Sequence, residues 1–194
     1  MRDPQLQRII NDIIRAEVGN PRPGDDPGGY TNDPRDPGGE TRWGVTKAVA
    51  REAGYRGDMR ELPRETAEAI FEQKFFYRPK FDQVFDVFPE LGAKMMDIGV
   101  NMGPSIAVRF LQRALNGLNT AQTLYADVKI DGAMGGQTRG ALEAYLKHRG
   151  ADGRRVLWSL IDGQQKVRYL ELGESNPNLQ AFQYGWQLNR TRQV

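Results

Sequence analysis

The sequence predicts a mainly helical protein with a small β-hairpin in its N-terminal part. Residues 5–17 place apolar side chains at helical spacing, which is typical of an amphipathic helix; these are Leu6, Ile9, Ile10, Ile13 and Ile14. Residues 18–40 are dense in Gly, Pro, Asp and Asn and are therefore predicted to form loops, with a short hairpin within 28–41. Helical spacing of apolar residues returns after residue 43 and continues through the rest of the chain.

The chain beyond the hairpin predicts a succession of helices. Apolar periodicity and helix-breaking residues place them at residues 43–53, 63–77, 89–102, 105–116, 138–146, 154–172 and 178–189. Pro63 suits the first turn of its helix, and Thr138 is predicted to cap another. Asp131-Gly132 predicts a turn, and the segment 150–153 predicts a break between helices.

Composition excludes several classes of protein. The 194 residues carry 27 Lys and Arg against 25 Asp and Glu, a formal net charge of +2. A nucleic-acid binder would show a stronger basic bias or a basic run, so none is expected as a partner. The apolar stretches are too short to span a bilayer, and residues 1–16 lack the apolar core of a signal peptide. We therefore expect synthesis in the cytoplasm and no stable membrane insertion.

The side chains available for catalysis are limited, because the chain has no Cys and a single His, His148. A papain-like hydrolase needs a thiolate, and a zinc hydrolase usually takes several His or Cys ligands. A Ser-His-Asp triad would depend on His148, whose Lys-His-Arg-Gly context is typical of a solvated cation near a helix C-terminus. We therefore expect an enzyme that uses carboxylates and hydroxyls without metal or cofactor, as glycoside hydrolysis allows.

Glu17 is the first candidate for a catalytic acid. It continues the apolar side of the first helix, following Leu6, Ile10 and Ile13 at helical spacing. Burying a charged carboxylate costs on the order of several kcal/mol, so a buried Glu would be held protonated, as a general acid requires. The alternative is a solvated Glu at the frayed end of the helix.

The residues that follow Glu17 resemble the signature of glycoside hydrolase family 108, the phage and bacterial lysozyme-like muramidases. The matching segments are Gly28-Gly29-Tyr30-Thr31-Asn32-Asp33-Pro34, Asp36-Pro37-Gly38-Gly39-Glu40-Thr41 and Gly44-Val45-Thr46. In the family the catalytic Glu directly precedes Gly-Gly-Tyr, whereas Pro27 holds that place here. We interpret residues 18–27 as an insertion and Glu17 as the family's acid, with Asp26 as the alternative.

The resemblance continues into the second half of the chain. The segment 97–104, Asp-Ile-Gly-Val-Asn-Met-Gly-Pro, is similar to a motif there, and 130–138 is similar to an element of the family's peptidoglycan-binding region. Gly185-Trp186, followed by Arg190, fits the closing helix. The resemblance thus implies a lysozyme-like, two-lobed fold. We expect an N-terminal lobe at 1–90 that faces a helical lobe at 91–194 across a saccharide cleft, with the C-terminal motif residues mainly structural.

The resemblance also implies roles for the hairpin residues. Glu17 would protonate the leaving oxygen, Asp36 would supply the second carboxylate, and Thr41 would hold a water. Asp33 is the alternative to Asp36 as the second carboxylate. Thr46 is the second candidate, after Thr41, for the hydroxyl that holds the water. Both Asp residues precede Pro, so each is equally suited to a turn.

Three further residues are predicted to line the sugar groove: Tyr30, Trp43 and Asn101. Trp43 is equally suited to a core position. Glu40 lies at a position that the family varies, so it is a weaker candidate.

The resemblance implies an endolysin that hydrolyses the β-1,4 bond between N-acetylmuramic acid and N-acetylglucosamine. We expect a monomer that binds peptidoglycan glycan strands and reaches the cell wall by holin-type release. One alternative is a lytic transglycosylase on the same bond, which needs only one acid. The other is a non-catalytic peptidoglycan-binding or secretion-accessory protein. The presence of Pro27 where the family has its catalytic Glu favours this alternative.

Overall fold

Helices make up most of the structure, a computed structural model that describes residues 3–19, 24–32 and 39–191. The chain divides into two units, residues 1–78 and 79–194. The first contains α1 (Pro4–Val18), β1 (Thr41–Arg42), β2 (Val45–Thr46), α2 (Lys47–Glu52) and α3 (Arg64–Glu72). The second contains α4 (Asp82–Phe85), α5 (Pro89–Met102), α6 (Pro104–Gly117), α7 (Gly136–Ser175) and α8 (Gln180–Arg190). The predicted class, mainly α with a small hairpin near the N-terminus, is confirmed.

The first helix forms where its apolar spacing predicts it. Asp3 caps α1, since its Oδ1 accepts hydrogen bonds from the backbone N–H groups of Gln5 and Leu6, and Pro4 occupies the first turn. The apolar side is buried at Leu6, Ile10, Ile13 and Ile14, and α1 packs against α3. The helix ends at Val18, and the capping residue Gly19 adopts a φ of 74°.

The hairpin lies later in the chain than predicted. β1 and β2 pair antiparallel, with Arg42 opposite Val45, so Trp43 and Gly44 form the turn. Their φ values of 55° and 74° are both positive, as the favoured two-residue hairpin turn requires. The predicted helix at 43–53 is therefore wrong at its start. The helix begins at Lys47, because residues 43–46 are used by the turn and by β2.

A further bridge and a helix cap hold the hairpin in place. Thr31 pairs with Thr41, each backbone N–H donating to the other's carbonyl over 2.9 Å. The hydroxyl oxygen of Thr46 accepts a hydrogen bond from the backbone N–H of Val49 and caps α2. The loop that carries Gly28 to Thr31, called the motif loop, is thus joined to the hairpin by main-chain hydrogen bonds, and the hairpin is joined to α2 by a side-chain hydrogen bond.

The helices of the second unit follow the sequence prediction with two corrections, since α4 was not predicted and one predicted helix cap is wrong. The helix α5 begins and ends where predicted, and Gly150 breaks α7 with a φ of 58°. The predicted cap at Thr138 is wrong: Gly135 precedes the helix. Thr138 is buried inside the first turn, where its hydroxyl accepts a hydrogen bond from Gln112.

Gln112 on α6 fixes the turn at Asp131-Gly132. Its amide N–H groups donate to the Asp131 carboxylate over 2.9 Å and to the Ala133 carbonyl over 3.2 Å. Its amide oxygen accepts from the Gly132 backbone over 2.9 Å. Because Gln112 is almost completely buried, these bonds satisfy a polar group that would otherwise destabilise the core. The Asp131-Gly132 turn is thus held to α6 and α7 by the side chain of Gln112.

A buried ion pair joins three helices of the second unit. The Lys94 ammonium on α5 contacts the Asp162 carboxylate on α7, and both side chains are more than nine-tenths buried. Lys94 also donates to the carbonyl oxygen of Arg190 at the end of α8, over 3.1 Å. On the other side, Lys166 lies 3.0 Å from the second oxygen of Asp162. Burial makes this pair sensitive to the loss of either charge.

The described helices include none whose length and apolar character would let it cross a membrane.

We expect Lys94→Met to lower the free energy of unfolding by about 3–5 kcal/mol, because Asp162 would lose its buried counter-charge while the apolar bulk is kept. Lys166→Met is the matched control, since Lys166 pairs with the same carboxylate from a more exposed position. Its expected cost is below about 1 kcal/mol. Urea denaturation of the full chain measures both, and equal costs for the two variants would contradict the argument.

Candidate active site

Glu17 lies in the last turn of α1, beside the turn of the hairpin. A Cβ placed on Gly44 would lie only 2.7 Å from the Cβ of Glu17 and 3.0 Å from its Cγ. The stem of the Glu17 side chain therefore packs directly on the Gly44 backbone. The structure thus brings together the candidate acid and the Gly-Val-Thr motif, which are far apart in sequence.

The carboxyl of Glu17 is not in the core. Its side chain is exposed, so the expected burial is wrong and the solvated alternative is the one found. The apolar side of α1 is buried at Ile13 and Ile14, but the helix ends only one residue after Glu17. The end of the helix is therefore open to solvent although the spacing of apolar residues continues to it.

The glycine pair of the motif allows the loop to pack between α1 and the hairpin. A Cβ on Gly29 would lie 2.9 Å from a methyl of Val18, the residue after Glu17. A Cβ on Gly28 would lie 2.5 Å from Nε of Arg42 and 2.9 Å from the ring of Trp43. Only glycine fits either position without displacing a neighbour.

Asp26 holds this loop closed. Its carboxylate accepts hydrogen bonds from the backbone N–H groups of Gly28 and Tyr30, and from the Arg42 guanidinium over 2.7 Å. Partial burial acts to raise the pKa of Asp26. The hydrogen bonds from Tyr30 and Gly28 and the charge of Arg42 outweigh burial and hold the pKa below its ordinary value. A general acid needs the opposite, so the geometry argues against Asp26 as the acid.

Tyr30 and Glu40 form a second polar cluster at the hairpin. The Tyr30 hydroxyl donates to Glu40 over 3.0 Å, Lys47 pairs with the same carboxylate, and Arg60 lies over the Tyr30 ring. The hydrogen bond from Lys47, followed by that from Tyr30, holds the pKa of Glu40 below its ordinary value. Glu40 is therefore an ionised anchor of the hairpin rather than an acid.

The two threonines of the hairpin lie opposite each other. Thr41 and Thr46 are a cross-strand pair, and the Thr41 hydroxyl donates to the Gly39 carbonyl over 3.2 Å. Thr46 is occupied as the cap of α2. Asp36 and its alternative Asp33 lie outside the described residues, in the segment between Asn32 and Gly39.

Trp43 is half-buried in the turn of the hairpin. Its indole N–H donates to the carbonyl of Leu62 over 2.9 Å, and the guanidinium groups of Arg42 and Arg64 each lie 5.7 Å from the ring centre. Sequence reasoning did not single out Arg42, which bonds Asp26 and contacts Trp43. The position of Arg42 next to Trp43 in the sequence was the signal that could have indicated it.

Asn101 lies in the second unit, on α5. Its amide donates to the backbone carbonyl of Asp97 over 2.7 Å and to its carboxylate over 3.3 Å. That carboxylate also accepts from Gln165 and from Arg190. Asn101 therefore takes part in a polar cluster of its own unit, and its sugar-binding role stays a prediction.

The described residues, 3–19, 24–32 and 39–191, contain no set of side chains suited to bind a metal ion. No group of three or more His, Cys, Asp or Glu side chains there is arranged to hold an ion.

Comparisons with known proteins agree with the motifs. Residues 25–103 match the family model of Glycosyl hydrolase 108, and residues 106–191 match that of a Predicted Peptidoglycan domain. Among solved structures, "Structure of Brucella abortus SagA" is similar at a TM-score of 0.59 and 19% identity, over 95% of this chain and 88% of that chain. No curated protein matches the chain.

Together the two family matches support the class of the protein as a glycosidase that acts on peptidoglycan. More particularly, the resemblance to glycosyl hydrolase 108 with a C-terminal peptidoglycan region is confirmed. The likeness to the SagA structure is consistent with the lysozyme-like fold that this resemblance implies. The family match begins at residue 25 and so covers the motifs from Gly28 to Thr46, but not Glu17.

We expect Gly44→Ala to lower wall-digesting activity about 100-fold, since an added methyl would push Glu17 away and a displacement near 1 Å costs roughly that much. Gly54→Ala is the matched control, because Gly54 also has a positive φ but nothing within 4 Å of an added Cβ. Turbidity assays on permeabilised cells measure the rates. If both variants lose activity equally, backbone strain and not contact with Glu17 is responsible.

Asp26→Asn should destabilise the first unit without abolishing activity. Because the pKa of Asp26 is depressed in the folded state, its ionised form stabilises the protein above the unfolded-state value of about 3.9. This contribution is lost as the pH falls through the lowered folded pKa. Thermal unfolding against pH should therefore show a deficit of the variant at neutral pH that shrinks on acidification below about 4. A deficit that grows on acidification would contradict the assigned sign.

Proposed function

We propose that the protein is an endolysin muramidase that hydrolyses the β-1,4 bond between N-acetylmuramic acid and N-acetylglucosamine. The observation that carries the proposal is the packing of Glu17 on Gly44, at the turn of the hairpin that bears Thr41. It places an exposed carboxyl beside the motif segment that matches Glycosyl hydrolase 108. A polymeric substrate needs such open access to the acid.

Glu17 is the proposed general acid. Cleavage of a glycosidic bond requires a carboxyl within hydrogen-bond distance of the leaving oxygen, which receives the proton as the bond breaks. Of the two candidates from the sequence, Asp26 is bound by two backbone N–H groups and Arg42. Glu17 instead lies at the end of a helix whose position is fixed by the contacts of Gly29 and Gly44.

The hairpin is proposed to supply the groups that handle the water and the developing positive charge. Asp36, with Asp33 as the alternative, would provide the second carboxylate. Thr41 would orient the water, since a hydroxyl that donates to the Gly39 carbonyl can still accept a hydrogen bond. Positioning a nucleophile in this way contributes several kcal/mol, on the order of the proximity effect.

Tyr30 and Trp43 are the proposed sugar contacts near Glu17. Both rings belong to the same motif segment and are held by hydrogen bonds, Tyr30 to Glu40 and Trp43 to the Leu62 carbonyl. Rings fixed in this way lose little conformational entropy when a sugar stacks on them.

The proposal includes the route to the substrate: synthesis in the cytoplasm, followed by holin-type release to the wall, where a monomer acts on glycan strands. Fractionation of producing cells with and without a holin tests the route, and light scattering of the purified protein tests the monomer.

We expect Glu17→Gln to lower the rate of peptidoglycan digestion about 100- to 10,000-fold, the usual contribution of a general acid. The variant should keep its unfolding midpoint, because the side chain is exposed. Asp12→Asn, which removes another exposed carboxylate of α1, is the matched control and should digest at the normal rate. Activity in Glu17→Gln together with its loss in Asp26→Asn would reverse the assignment of the acid.

Mass spectrometry of the digested wall identifies the bond. Hydrolysis by a muramidase gives fragments with reducing N-acetylmuramic acid ends, because a water completes the reaction. Products with 1,6-anhydro ends would show that the sugar's own hydroxyl attacks and that the protein is a lytic transglycosylase. Reducing N-acetylglucosamine ends would show that the other bond of the strand is cut.

A further inference from the structure

A cavity of about 970 Å³ lies within the second unit, to which all of its lining residues belong. It is lined by residues at the start of α5, by α7 just after its break, and by the end of α8. The aromatic and charged side chains that line it include Phe88, Glu90, Lys94, Arg154, Arg155 and Trp158. Its volume lies within the range of small-ligand and cofactor sites in proteins.

The cavity combines aromatic rings with guanidinium groups. The Arg154 guanidinium lies 4.9 Å from the ring centre of Phe88, and the Lys94 ammonium lies 5.1 Å from that of Trp158. Phe88 is buried beneath Arg154, so the guanidinium is held over a fixed apolar surface. A stacked, planar guanidinium keeps its edge N–H groups directed outward and suits a carboxylate.

The balance of charge in the cavity favours an anion. Lys94 is neutralised by Asp162, and Arg190 by Asp97 at 3.0 Å. Arg154 makes no ion pair with any residue of the described part of the chain. Among the described residues Arg155 pairs only with Asp152, where both side chains are more than four-fifths exposed and the pair is weak. Glu90 is the one acid among the lining residues.

The walls of the cavity are built rigidly. Lys94 is tied to Asp162 and to the carbonyl of Arg190, which joins α5 to α7 and α8 around the cavity. Phe88 and Lys94 come from the segment that matches Glycosyl hydrolase 108, whereas Arg154 and Trp158 come from the segment that matches the Predicted Peptidoglycan domain. Neither segment alone forms the cavity. A site whose walls are fixed in this way loses little entropy on binding.

We propose that this cavity binds the carboxylate-bearing stem peptide of peptidoglycan. The sugars of the glycan strand are uncharged once the lactyl group is joined to the peptide, so the anionic groups of the polymer lie on its peptides. A short peptide that carries carboxylates and aliphatic side chains matches Arg154 and Arg155 beside the rings of Phe88 and Trp158. The inference rests on the proposed function, since it takes peptidoglycan as the ligand.

Isothermal titration with two soluble ligands tests the inference. One is the disaccharide in which N-acetylglucosamine is linked to position 4 of N-acetylmuramic acid, with the stem peptide on the lactyl group. The other is the same disaccharide with the lactyl carboxyl capped as an uncharged amide. Neither contains the bond that the proposed muramidase cuts, because that bond joins N-acetylmuramic acid to the next N-acetylglucosamine. We expect the peptide-bearing ligand to bind at least about tenfold more tightly, and more weakly at higher salt.

The variants locate the site. Arg154→Gln should weaken binding of the peptide-bearing ligand about tenfold by removing one charge-assisted hydrogen-bond donor. Arg168→Gln is the matched control, because it removes the same charge from a residue of α7 that does not line the cavity. Arg154→Lys keeps the charge without the planar group and should fall between wild type and Arg154→Gln. This variant also provides a test if Arg154→Gln fails to fold.

The outcomes separate the inference from the proposed function. Equal binding of the two ligands, or normal binding by Arg154→Gln, overturns the stem-peptide site, and wall digestion by the wild type would still support the muramidase. Wild-type protein that neither digests walls nor binds the peptide-bearing ligand overturns both.

Discussion

The first unit depends on one steric constraint, the close approach of the motif loop and hairpin to the end of α1. Two backbone positions without a Cβ make this approach: Gly29 against Val18, and Gly44 against Glu17. Both also adopt positive φ values, which other residues reach only with strain. The glycine spacing of the motif is therefore a packing requirement. It allows the stem of the Glu17 side chain to pack directly on the backbone of the hairpin turn.

Hydrogen bonds and ion pairs stabilise the close approach of the loop and hairpin to α1 that the glycines allow. Asp26 closes the loop through backbone N–H groups and Arg42, while Glu40 joins Tyr30 to Lys47. In both clusters the hydrogen bonds stabilise the ionised carboxylate. Carboxylates held charged in this way position the hairpin, and they leave the proton-donating role to a different group.

The second unit is organised around buried charges between α5, α7 and α8, and it does not coincide with either matched family segment. The Glycosyl hydrolase 108 match ends at residue 103, so it includes α4 and α5, yet α5 packs against α6 and α7 of the following segment. The Lys94–Asp162 pair spans the same boundary. The division into units therefore follows where charges and apolar faces are buried. A fragment that ends at residue 103 would expose α5 and leave Lys94 without its partner.

The sequence by itself determined the elements whose signals are local. Apolar spacing located α1 and α5, the Gly and Pro content located the loop and the break at Gly150, and the absence of Cys with a single His restricted the chemistry. Only the tertiary structure decided that Glu17 is exposed and that Thr138 is a buried acceptor for Gln112. It alone also decided that Trp43 forms a turn. For Glu17 and Thr138 the deciding partner is distant in sequence, as Gly44 is from Glu17 and Gln112 is from Thr138. A local sequence pattern determines which face of a helix is apolar. It does not determine how much of that face other elements cover, or which distant backbone segment contacts the helix.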